Sequence, residues 1–118
     1  MKRVSNAPAE AAPFPYTGPS GLRRPVELAL EAVVDPEMAM SIVDVGLVYG
    51  VSVTNDKVRV VVTMTSVACP VIEVILEDIE AELDRAVPAD MSIEIELVWE
   101  PAWTAERMSA KAKSFMGW

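Results

Sequence analysis

Residues 47–65 read LVYGVSVTNDKVRVVVTMT, two alternating runs set about the pair Asn55-Asp56. A period of two belongs to a strand with one buried face, and Asn-Asp suits a tight connection, so the segment reads as a β-hairpin. With Asn55 and Asp56 as a two-residue loop, the facing pairs are Val53 with Val58, Val51 with Val60, Tyr49 with Val62 and Leu47 with Met64. All eight are apolar and share one face. The other face takes Ser52, Arg59, Gly50, Val61, Val48 and Thr63, the polar-leaning set expected on a solvated side. The apolar face must be covered by the rest of the chain.

Two segments have the period to cover it. Leu22, Val26, Ala29, Leu30 and Val33 stand at helical spacing, with Pro25 in a first turn and Glu27 and Glu31 on another face. The spacing predicts a helix over 25–34. It ends at Asp35-Pro36-Glu37, where proline disfavours the α region for the residue before it, and SIVDVG then gives a short turn closed by Gly46. After Cys69 and Pro70, the apolar stripe Ile72, Ile75, Leu76, Ile79, Leu83 and Ala86 backs onto six carboxylates, and Pro88 ends that helix. The carboxylates read as a solvated face.

MSIEIELVW, residues 91–99, alternates once more and predicts a third strand with Met91, Ile93, Ile95, Leu97 and Trp99 on one side. A last helix is expected after Thr104 as N-cap, with Trp103 and Met108 as a hydrophobic staple. The order α-β-β-α-β-α predicts an α+β two-layer sandwich, a three-stranded mixed sheet with helices on one face.

Five of the nine prolines fall within residues 1–25, among Ala, Ser and Gly. Residues 1–21 are therefore expected to be a disordered Pro/Ala-rich tail, and 22–118 a single domain. No apolar run approaches the roughly 20 residues of a membrane span, and no apolar stretch follows the basic start MKR. A cytoplasmic location is expected. The formal net charge of −8 opposes binding to nucleic acid or anionic membranes, both of which need a cationic footprint.

The chain has no His and one Cys. The commonest general base and the commonest metal ligand are thus absent together. Cys69 stands where a strand-like run meets a helix-like run, and with Pro70 at the first helical position it would be the N-cap. Free N–H groups and the helix dipole there favour a thiolate; Glu73, one turn on, opposes it. The plain alternative is a buried cysteine acting as a small hydrophobe. Nucleophilic catalysis would need Asp35 or Glu37 as base, and a carboxylate is a poor base for a thiol and raises its pKa. No catalytic residue is assigned. One thiolate per chain also cannot close a four-cysteine cluster site, so a metal or cluster here would be shared between chains or completed by other ligands. Thr65 and Ser66 have an ordinary role available, satisfying backbone groups between strand and helix.

The stretches DPEMAMSIVDVGLVYGVSV, VVVTMTSVACP and WEPAWTAERMS resemble, in order and spacing, the signatures of the metal-sulfur cluster biosynthesis family of SufT- and PaaD-like proteins. The resemblance covers roughly residues 23–117. It implies an iron–sulfur cluster assembly domain-like fold and a non-enzymatic accessory role in the assembly or transfer of clusters, or in the maturation of client proteins. Carried onto matching positions, it implicates Asp35, Glu37, Thr65, Ser66 and Cys69 as cofactor-binding residues, with Cys69 the metal ligand. The cofactor implied is a labile iron–sulfur cluster, or iron, shared between chains, with a homodimer as one arrangement. The partners implied are the assembly machinery and client apoproteins. Val67-Ala68 stands where family members commonly carry Pro-Gly. Members of the phenylacetate-degradation branch continue into a cysteine-rich tail whereas this sequence stops at Trp118, so the general assembly branch is expected over an accessory factor for an aromatic-degradation oxygenase. A protein–protein adaptor with a structural cysteine is the reading from another class.

Overall fold

The computed structural model of the chain describes residues 13–65 and 69–118. In chain order the elements are β1 (Tyr16–Thr17), α1 (Ser20–Glu31), β2 (Val34–Asp35), β3 (Met40–Ser41), α2 (Ile42–Val45), β4 (Val48–Val53), β5 (Lys57–Val62), α3 (Cys69–Ala86), β6 (Ser92–Leu97) and α4 (Ala110–Met116). A mixed four-stranded sheet has the order β1-β4-β5-β6, and β2 and β3 form a separate two-stranded hairpin. The fold is α+β as expected, but the sheet has four strands rather than three.

The extra strand comes from the segment expected to be a tail. Tyr16 and Thr17 pair in parallel with Val51 and Ser52, and Phe14 is buried in the core. The expectation of disorder is thereby corrected over 13–21; residues 1–12 lie outside the described residues. Proline density gave the wrong expectation because an edge strand needs few N–H donors. Only two residues pair here, and the Val51 N–H donates to the Pro15 carbonyl, the one backbone hydrogen-bonding group proline keeps. Helix α1 starts at Ser20 for a related reason, since Pro25 lies inside it and one lost backbone hydrogen bond is tolerated.

The hairpin forms about Asn55-Asp56 with Val53 opposite Val58 and Val51 opposite Val60. A bulge between Val48 and Gly50 then sets Val48, not Tyr49, opposite Val62. One extra residue reverses the facing of what precedes it. Val48, expected on the solvated side, is therefore buried; Thr63, on the strand without the extra residue, is buried as well. Strand β6 runs parallel to β5, with α3 as the crossover between them.

The core joins Val26 and Leu30 of α1, Ile75, Ile79 and Leu83 of α3, and Val51, Val58, Val60 and Val62 of the hairpin. Glu27 is buried too, and its carboxylate receives Arg23 Nε at 3.1 Å and Arg24 Nη1 at 3.3 Å. On the polar side of the sheet, Lys57 pairs with Glu94 and Arg59 with Glu96 across β5 and β6. The last helix begins later than expected. Thr104 precedes only a 3-10 turn, and α4 is capped by Ser109, whose hydroxyl accepts from the Ala112 N–H at 3.0 Å. Trp99, expected on the buried face, is 43% exposed.

Candidate functional site

The acidic turn is built by its first residue. Asp35 ends β2, and its Oδ1 accepts from the Glu37 N–H at 2.9 Å and the Met38 N–H at 3.4 Å. The Asp35 carbonyl accepts from the Ala39 N–H at 2.7 Å, which returns the chain into β3. A short carboxylate followed by proline favours this arrangement: Pro36 has no N–H to compete, and the aspartate side chain mimics a backbone acceptor. Asp35 is buried and Glu37 is exposed. The two acids named together from the sequence thus occupy different environments. Asp35 is an internal acceptor, and Glu37 faces water on the same turn.

Helix α3 opens at Cys69, one residue before the expected first helical position. No acidic residue lies in its first turn. Strand β2, which carries Asp35, packs against α3. The start of β4 and the end of β5 lie side by side, with the Thr63 N–H donating to the Leu47 carbonyl at 2.9 Å. The acidic turn leads through α2 into that edge, and the segment to Cys69 leaves from it. Thr65 is half-buried at its beginning. Ser66, and the Val67-Ala68 step, lie outside the described residues. Among the described residues no three His, Cys, Asp or Glu side chains gather as a metal site.

Thr63 was not picked out by its sequence position. It is 1% exposed at the end of β5, and its Oγ1 has no hydrogen-bond partner among the described residues. An unpaired buried hydroxyl costs about 1–3 kcal/mol. Nothing in the sequence pattern pointed to this, since strict alternation along β5 sends residue 63 to solvent.

The chain after β6 fastens the α2 side of this edge. Trp103 Nε1 donates to the Val45 carbonyl at 2.8 Å, Tyr49 Oη to the Pro101 carbonyl at 2.6 Å, and the Arg107 guanidinium lies 4.1 Å from the Tyr49 ring centre. The Ser109 N–H and hydroxyl donate to Asp44, at its carbonyl (2.8 Å) and its Oδ1 (3.0 Å). Tyr49, turned away from the core by the bulge, is thereby used as an anchor.

The family model described as iron–sulfur cluster assembly protein matches residues 23–97, from α1 to the end of β6. The Fe-S protein maturation auxiliary factor YitW of Bacillus subtilis is 39% identical over 90 residues, which are 75% of this chain and 87% of that protein. The Fe-S protein maturation auxiliary factor SufT of Staphylococcus aureus is 38% identical over 86 residues, 72% of this chain and 97% of that protein. Among solved structures, a domain of unknown function from Bacillus anthracis superposes with a TM-score of 0.75 at 40% identity, covering 82% of this chain and 92% of that one. A conserved hypothetical protein from Thermotoga maritima gives 0.68 at 34% identity, covering 80% and 93%.

Proposed function

This chain belongs to the iron–sulfur cluster assembly protein family, and from that membership we infer an accessory role in the maturation of client iron–sulfur proteins. The observation that carries the reading is the match itself, which spans both the acidic turn and Cys69 at relatives' identities of 38–39%. The role is non-enzymatic: the chain touches its cargo and its client rather than turning over a small molecule.

Cys69 is the contact with iron or with the client. Its position at the start of an 18-residue helix supports this, because the positive end of such a helix favours the thiolate. Asp35 shapes the site through the turn it holds, Glu37 presents a carboxylate to solvent on that turn, and Thr65 borders the approach, with Ser66 assigned to the same site by its place in the family's motif. One thiol and a few carboxylates do not make the four-thiolate set that holds a cluster firmly. The cluster, or iron, is accordingly cargo held by a partial set, completed by a second chain or by the client. Loose holding suits transfer. The place of action is the cytoplasm, with the assembly machinery and client apoproteins as partners.

An adaptor with a structural cysteine is the second reading, favoured by the way Asp35 Oδ1 is committed to two turn amides. Anaerobic reconstitution with ferrous iron and sulfide separates them. The native chain should develop a thiolate-to-iron charge-transfer absorbance that Cys69→Ser lacks; identical spectra for the two would favour the adaptor.

A further inference from the structure

Next to the turn that holds Asp35, a groove of about 610 Å³ opens between the β2–β3 hairpin and α4. Its apolar lining includes Val34, Met40 and Phe115, and its polar lining Glu31, Asp44 and Lys111. Phe115 is 71% exposed and Val34 50%, so the groove offers apolar surface that gains by being covered.

The charges select the occupant. Glu31 is the last residue of α1, where backbone carbonyls already concentrate negative charge, and no basic residue stands in that turn. It makes no ion pair among the described residues. Asp44 has Lys111 at 3.9 Å, but that lysine is 86% exposed and screens it little. A net charge of −8 adds long-range attraction for cations.

We propose that this groove docks a basic segment of a client polypeptide, seating an apolar side chain between Val34 and Phe115 and an adjacent Lys or Arg against Glu31. The inference rests on the maturation role above, which supplies the client. Because Val34 precedes Asp35 directly, a docked segment lies alongside the acidic turn. The groove thus holds the client while the site acts on it.

The test is a nuclear magnetic resonance titration of the full chain with a synthetic peptide carrying a central Leu flanked by Lys, and with its counterpart bearing Glu for each Lys. Shifts at Val34, Met40 and Phe115 are expected with the Lys peptide alone. Phe115→Ala and Glu31→Gln, both at exposed positions, should each weaken binding on the order of tenfold. Added salt should weaken it further. Shifts confined to other surfaces, equal binding of the Glu peptide, or indifference to both groove variants would overturn the proposal. So would a dimer in sedimentation that Phe115→Ala dissolves, since the groove would then belong to a second copy. Failure of the maturation reading would show separately, as clients matured equally well with and without this chain while the groove still binds the Lys peptide.

Discussion

Gly46 ends α2 at φ 88°, and a Cβ built on it would stand 2.3 Å from the Arg107 carbonyl oxygen. Both the left-handed backbone and the close approach of the C-terminal segment require glycine there. Gly46→Ala should therefore lower stability by about 2 kcal/mol or more and release the contacts of Trp103 and Ser109, read as an earlier urea midpoint with lost tryptophan signal change. Thr63 predicts the opposite sign. Thr63→Val keeps the shape and removes an unpartnered buried hydroxyl, so it should gain about 1 kcal/mol in the same assay. A loss instead would mean that the hydroxyl has a partner beyond the described residues, and would draw Thr63 into the site beside Thr65.

Among the elements, the N-terminal strand carries the clearest test. Phe14 is 4% exposed and β1 holds the edge of the sheet, so Phe14→Ala should cost about 3–5 kcal/mol, and deleting residues 1–19 at least as much. A melting transition unmoved by either change would restore the tail reading. The regular elements were legible beforehand for a physical reason: the stripe Ile75, Ile79 and Leu83 and the pairs Val53 with Val58 and Val51 with Val60 repeat a period that only one element can satisfy. What repeats nothing was not legible. The bulge at Tyr49, the two-residue strand at Tyr16 and the late start of α4 at Ala110 are set by contacts from distant chain, such as Tyr49 with Pro101 and Val51 with Pro15. Of the candidate site, Asp35 was recognisable from its proline, whereas its separation from Glu37 depends on which side of a turn is buried. That depends on tertiary packing.

For the molecule as a whole, the acidic turn is common ground. Its first residue is an internal hydrogen-bond acceptor, its strand packs against the helix that begins at Cys69, and its flank borders the groove toward α4. On the proposed reading, cargo contact and client docking would fall on neighbouring surfaces of the fold. The C-terminal segment beyond residue 97, outside the family match, supplies α4 and hence one wall of the groove. The most direct measurement is the activity of an iron–sulfur client in cells lacking this protein and supplied with native, Cys69→Ser or Asp35→Asn chain. The account predicts full activity with the native chain, loss with Cys69→Ser, and reduced activity with Asp35→Asn at a melting temperature close to native, because asparagine Oδ1 can still accept from the turn amides. Full client activity with Cys69→Ser would contradict it.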